Sequence, residues 1–298
     1  MKNVVYSFCR EFGFPDEATA SLTRDCEAMM AVDGAGELVA KYLDKYDKEN
    51  RCDYFGALEE AKPIFSAAKV HPYSAAMVFS ILFTPLYHKK LQERGYSEEI
   101  WRDSMDDLLT KAYECYDYCG VWGSFVASWF SLFFNFSLFG LGRLEFRLLH
   151  FEGEFEKDGN VIHDGDLVID VHIPSKGKLP HDAVVDSYRK ACAFFADRIK
   201  ARPFPIVCES WMLWPKHYDI LPENSNLIAF QRDYTVYKTV VDEDGGDLWR
   251  IFGKEYGKDT SKMPKNTKLQ KEYAALLDRG EDVGYAFGAF FFDGENFV

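Results

Sequence analysis

Asp170 and His172 stand two residues apart in the run Asp166-Leu167-Val168-Ile169-Asp170-Val171-His172-Ile173, so on an extended chain both side chains leave one face. A carboxylate beside an imidazole orients the ring and raises its basicity, which suits a general base near neutral pH. The plainer reading is that the two satisfy each other at a sheet surface. Glu145 and Arg147 are spaced in the same way. Over residues 205–213, Cys208 and Ser210 alternate with Glu209 and Trp211. Cys208 there reads as a small buried hydrophobe.

The elements that position these residues follow from local patterning. Leu167, Ile169, Val171 and Ile173 alternate with Val168, Asp170 and His172, the period of a half-buried strand. Pro174 ends it, because proline has no N–H to donate to a ladder. Pro180 suits a first helical turn, and Val184, Val185, Tyr188, Ala191, Cys192 and Phe195 form the apolar stripe of a helix. A strand, a Gly-containing loop and a helix N-terminus in succession can hold an anion on free backbone N–H groups. An ordinary strand–helix unit without ligand has the same pattern.

The 298 residues suffice for one large or two ordinary domains, and a formal charge of −13 argues against nucleic-acid or anionic-membrane partners. The local exception is 254–271, with Lys254, Lys258, Lys262, Lys265, Lys268 and Lys271, which reads as a solvated surface; the other reading has one or two of these lysines meeting a phosphate. Seven cysteines without a CxxC pair read as reduced thiols of a cytoplasmic protein, with no metal site. Residues 1–14 do not read as a signal peptide. Residues 118–142 carry no charge and meet the length test for a membrane span, but interspersed serines, Asn135 and an acidic preceding flank argue against one.

The first 120 or so residues read as helices: 16–32, 37–48, 54–62, 72–94 with a kink at Pro85, and one opened by Ser97 and running to about residue 119. Strands follow at 143–151, 166–173 and 205–213, with a turn at 157–160. The run Asp242-Glu243-Asp244-Gly245-Gly246-Asp247 reads as a hairpin turn between strands 234–241 and 248–252. A helix over 267–277 and an aromatic strand over 285–292 close the chain. Helices first and a mixed sheet afterwards predict an α+β protein, with a helical N-terminal domain over 1–130 and a sheet domain over 131–298. GxGxxG, Walker, HExxH and GxSxG motifs are absent, which removes support from several large enzyme classes.

Six stretches occur in an order that carries a resemblance. They are Leu141-Gly142-Arg143-Leu144-Glu145-Phe146, His172-Ile173-Pro174-Ser175, Asp186-Ser187 with Ala191, Phe194 and Phe195, Cys208-Glu209-Ser210-Trp211, Leu221-Pro222-Glu223-Asn224-Ser225-Asn226 with Phe230-Gln231, and Met263-Pro264-Lys265-Asn266-Thr267-Lys268-Leu269-Gln270. Together they resemble the bacterial acyltransferase-domain proteins that join a helical N-acyltransferase N-terminal domain to a GNAT-like C-terminal domain. The resemblance covers about residue 97 to the C-terminus.

That resemblance implies a GNAT-like mixed β-sheet flanked by helices, in which two parallel strands splay and admit an acyl-CoA, with acetyl-CoA the expected donor and another acyl-CoA the alternative. Backbone at His172 and Ile173 would follow the pantetheine, and Ser175, Lys176, Gly177 and Lys178 would face the pyrophosphate, with Asn226 a further coenzyme contact. It further implies direct transfer to a small-molecule or peptide amine. His172 would be the base, assisted by Asp170 or Glu209, with Ser210 or Tyr234 returning a proton to the thiolate. The acidic excess favours a cationic amine. The loop Ser175-Lys176-Gly177-Lys178-Leu179-Pro180 departs from the family's Gln/Arg-x-x-Gly-x-Gly/Ala pattern. A non-catalytic ligand- or partner-binding module of the same fold is therefore the second reading. The helical part could serve as lid, substrate wall or the interface of a homodimer.

Overall fold

The structure, a computed structural model, describes residues 1–253 and 259–298 and divides into two compact units, Met1–Gly140 and Leu141–Val298. Lys254 and Lys258 lie outside the described residues. The first unit is built from α1 (Lys2–Glu11), α2 (Asp16–Met30), α3 (Ala35–Glu49), α4 (Tyr54–Ala68), α5 (Pro72–Glu93), α6 (Glu98–Cys119) and the short α7 (Phe130–Phe134). Helix α5 is buried around its whole circumference from Met77 to Thr84, which makes it the hub of the helical unit. Two of its buried hydroxyls are satisfied within the helix: Ser80 Oγ donates to the Ala76 carbonyl and Thr84 Oγ1 to the Ile81 carbonyl, each at 2.8 Å.

One expectation for this unit changes, and the reading of 118–142 as something other than a membrane span is kept. The helix expected over 54–62 runs on through Pro63 to Ala68, because Tyr54, Ala57, Ala61 and Phe65 continue one buried stripe into the core. The uncharged stretch 118–142 breaks into a 3-10 turn, α7 and β1 (Leu138–Leu141). Phe134 packs on Tyr54 and Tyr87, with ring centroids 5.5 and 5.7 Å away. No helix among the described residues is long and apolar enough to cross a membrane. Ser97 caps α6 as its position predicts, accepting from the Ile100 N–H.

The second unit contains β2 (Leu144–His150), β3 (Phe155–Lys157), β4 (Asn160–Ile162), β5 (Leu167–His172), α8 (His181–Phe195), β6 (Phe204–Ser210), α9 (His217–Ile220), α10 (Asn226–Arg232), β7 (Thr235–Val241), α11 (Trp249–Phe252), α12 (Lys268–Asp278) and β8 (Gly284–Phe292). The sheet order is β1-β2-β5-β6-β8-β7, and the boundary between the units falls within β1. β5 and β6 pair in parallel, whereas β2/β5, β6/β8 and β7/β8 are antiparallel. Helices followed by a mixed sheet make this an α+β, GNAT-like architecture. The β3–β4 hairpin turns at Asp158 and Gly159, both at positive φ (52° and 81°), the geometry of a tight primed turn.

Three readings of this region are corrected. The strand at 166–173 is buried on both faces, since Val168 and Asp170 are as covered as Ile169 and Val171. Phe151, Phe155, Ile162 and Val207 pack over the Val168 side, which alternation alone does not reveal. The stretch 248–252 holds α11 (Trp249–Phe252) with Leu248 as its N-cap, and not a hairpin partner of β7. Leu248, Ile251 and Phe252 recur at helical spacing and bury against Met263, Tyr273 and Leu276, while β8 takes the place beside β7. β6 ends at Ser210, and Trp211 begins a 3-10 turn whose Met212 N–H is accepted by Ser210 Oγ at 3.1 Å.

Candidate active site

The sheet register sorts the chemically able side chains onto two faces. Arg147 pairs with Asp170 and Glu145 with His172 across β2 and β5. Asp170 is level with Val207 on β6, Glu209 with Phe287 on β8, and Phe287 with Lys238 on β7. All of these share one face. The β3–β4 hairpin covers one end of that face, and the α11–α12 cluster gathers beside Trp211. A cavity of about 770 Å³ is lined by Arg147, Asp170, His172, Glu209, Trp211 and Tyr237 among others.

Asp170 is the electrostatic centre of this cavity. Its Oδ2 accepts from Arg147 Nε at 2.7 Å and lies 3.0 Å from His172 Nε2. Burial pushes the carboxyl upward, but His172 and Arg147 outweigh it and hold it below the usual aspartate value. Glu209 behaves in the opposite sense: burial, with the Asp170 charge, raises it against the pull of Lys238, Arg147 and His172. Two carboxylates with opposed shifts thus share one cavity with an imidazole.

The other face of the sheet packs on α8. Tyr188 meets Phe290 edge to face, centroids 5.0 Å apart, and its hydroxyl lies 3.1 Å from that of Tyr234. His181 Nε2 lies 2.8 Å from Asp233 Oδ1, and Tyr188 donates to Asp233 Oδ2 at 3.4 Å. Burial raises Asp233 to about 6, opposed by His181 and Tyr188. The Tyr234 phenol is fully buried and held well above its ordinary value by burial and by Tyr188. Gly288 opens the space for Tyr234, whose Cβ lies 2.8 Å from where a Gly288 Cβ would stand.

Of the residues singled out from the sequence, His172, Asp170, Glu209 and Ser210 line the cavity, the last with its hydroxyl engaged as a cap, while Tyr234 lies on the α8 side. Ile173, Ser175, Lys176, Gly177 and Lys178 run from the end of β5 to the N-terminus of α8, away from the cavity walls. Gly177 adopts φ +56°, a conformation that favours glycine, and Arg143 Nε fastens the loop by donating to the Lys178 carbonyl at 3.0 Å. Pro180 occupies the N-cap of α8. Asn226 is the exposed first residue of α10. The cavity also contains Lys238 and Phe287, which sequence reasoning did not single out. Their signal is the alternation of β7 and β8, but alternation does not tell which strands are neighbours. Among the described residues, no group of three or more His, Cys, Asp or Glu is placed to hold a metal, and the cysteines are free thiols.

Between β5 and β6 only Ile169–Ile206 and Asp170–Val207 are paired, although β5 continues to His172 and β6 to Ser210. A mixed sheet whose central parallel pair is joined over so short a length, with polar side chains at its open end, defines a GNAT-like protein. The model of the GNAT-like C-terminal domain matches residues 138–290, and that of the N-acyltransferase N-terminal domain matches residues 4–136. The chain belongs to the family that joins these two domains. Among curated proteins nothing matches the chain. Among solved structures it is similar to an acyltransferase mutant in complex with octanoyl-CoA (TM-score 0.72, 21% identity, covering 95% of this chain and 86% of that one). A second is an acyltransferase in complex with decanoyl-CoA and teicoplanin (TM-score 0.71, 21% identity, 96% and 86%). A third is an acyltransferase in complex with decanoyl-CoA (TM-score 0.64, 18% identity, 97% and 99%).

Proposed function

We propose that the protein is an acyl-CoA-dependent N-acyltransferase that transfers its acyl group directly to an amine. The observation that carries this reading is the short β5/β6 pairing. Past Asp170 and Val207 the facing edges of the two strands no longer bond each other, so backbone N–H and C=O groups at the carboxyl ends of a parallel pair can receive an extended thioester arm. The loop 175–180 and the start of α8 stand directly after β5, where a pyrophosphate would meet Gly177 and the neighbouring Lys176 and Lys178. Similar folds solved with octanoyl-CoA and decanoyl-CoA support an acyl-CoA donor. The teicoplanin bound in one of them supports a bulky, amine-bearing acceptor.

In this reading the amine enters from the cavity and its nitrogen bonds the thioester carbonyl carbon. The C–S bond breaks and coenzyme A leaves as thiolate. His172 takes the proton from nitrogen. Asp170 Oδ2, 3.0 Å from His172 Nε2, stabilises the imidazolium that forms, and Arg147 holds Asp170. A backbone N–H at the open edge of β5 polarises the carbonyl. Ser210, which lines the cavity, returns a proton to the thiolate. Calorimetry with CoA, acetyl-CoA and octanoyl-CoA tests the donor site and its chain length, and thiol release in the presence of amines tests transfer. If none of the three ligands binds at millimolar concentration, the chain is instead a binding module of the same fold.

A further inference from the structure

Glu209 and Lys238 flank one aromatic ring from opposite sides. Both are register partners of Phe287, Glu209 from β6 and Lys238 from β7, so their Cα atoms lie two strand spacings apart, about 10 Å. Lys238 Nζ sits 4.6 Å from the Phe287 ring centroid and makes no ion pair among the described residues. The Glu209 carboxylate likewise has no hydrogen-bond or ion-pair partner among them. Both line the cavity, as does Phe287. Left to themselves, two opposite charges so close on a sheet face would pair; here the intervening strand keeps them apart. Tyr237, partly exposed, extends the aromatic floor, with its centroid 6.3 Å from that of Phe287.

We infer that the acceptor is amphoteric: besides its amine it carries a carboxylate, and it lies across Phe287 with the amine toward Glu209 and the carboxylate toward Lys238. This rests on the acyltransferase reading and names the substrate class for its cavity. The separation matches a short peptide better than a single amino acid, whose amine and carboxylate are one carbon apart. Glu209 lies across the open β5/β6 edge from His172, so an amine held by Glu209 is delivered to the side of the cavity where the base stands. A cation–π contact at an exposed ring is weak, about 0.5–1 kcal/mol, so Lys238 can leave Phe287 for a carboxylate.

The dipeptide alanyl-tyrosine and its C-terminal amide differ in that one charge and share the amine. With saturating acyl-CoA, the free acid should show a KM about twofold to fivefold below that of the amide, the range expected of one exposed ion pair. Lys238→Gln should erase the preference and Lys238→Arg should keep it. Equal KM values for acid and amide in the native protein, or a preference that survives Lys238→Gln, would overturn the inference while leaving acyl transfer intact. Calorimetry with the two peptides alone makes the same comparison without acyl-CoA, and failure of both to bind also overturns it. Failure of acyl-CoA to bind, with the acid still preferred over the amide, overturns only the acyltransferase reading.

Discussion

Asp170 sets its Oδ2 3.0 Å from His172 Nε2, two residues along the same strand, while Arg147 reaches the same oxygen from the neighbouring strand at 2.7 Å. In the proposed reaction Asp170 is a positioning residue and His172 the group that meets substrate. His172→Ala should lower kcat for amine acylation about 100-fold or more, the usual contribution of a positioned base. Asp170→Asn should lower it less and shift the pH–rate profile, because the ring loses its anionic partner. Unchanged acylation of every responsive amine by the His172→Ala protein would remove the base assignment.

Asp170 also bears on stability. Its folded value lies below that of an unfolded aspartate, so its contribution is full above the unfolded value, about 4, and is lost as pH falls through the folded one. Asp170→Asn leaves Arg147 without its carboxylate partner. It should cost about 1–3 kcal/mol at pH 7, less than a fully buried pair because Arg147 is partly exposed. Urea unfolding should show that cost shrinking below about pH 4.

Asp233 has the opposite sign. Its folded value, about 6, lies above the unfolded one, so the native protein holds an extra proton between the two. The stability it contributes is present in full below about pH 4 and is lost as pH rises through about 6. Compared with the native protein, Asp233→Asn should therefore gain up to about 3 kcal/mol between pH 4 and pH 7. Parallel stability curves for the two proteins would show that the carboxyl is not shifted.

Glu209 is raised by burial and by its neighbour Asp170, so it gains a proton at a higher pH than an ordinary glutamate. If it receives the amine, the KM for amine should climb on acidification before free carboxylates of the usual kind titrate. Glu209→Gln should raise that KM about tenfold at pH 7 and flatten its acid limb. An acid limb unaltered by the substitution would assign it to another group.

Within the helical unit, Gly140 is a packing requirement. A Cβ there would stand 2.3 Å from the Asp103 carbonyl carbon, and the Gly140 N–H donates to Ser104 Oγ at 2.9 Å. Gly140→Ala should cost about 1–3 kcal/mol of stability. Thermal unfolding checks it, and an unshifted midpoint would mean that the β1–α6 contact is looser than the distances state.

Local signals were readable wherever one residue's chemistry decides the matter. Ser97 caps α6, Thr267 and Gln270 form the capping box of α12, and Asp158-Gly159 turns the β3–β4 hairpin. Asp170 and His172 were legible as a pair because period two is a property of the strand itself. What separates Glu209 from Lys238 is β8, which begins more than forty residues after Lys238, and no local pattern foretells that insertion. The misreading of 248–252 has the same origin. Asp-Gly-Gly turns serve hairpins and helix starts alike, and only the occupation of the place beside β7 by β8 decides between them. Arg147 was visible beside Glu145, but its pairing with Asp170 depends on a register set over twenty residues away.

The two pairs that join β5 to β6 make a mechanical seam through the middle of the sheet. On one side of it β2 and β5 are bound along six pairs, and on the other β6 and β8 along seven. A donor threaded into the open part of the seam, as proposed, would act as splice as well as substrate. By bonding both free edges it should slow hydrogen exchange at residues 171–173 and 208–210 and make the halves unfold as one piece, so that the fold is most complete when the donor is bound.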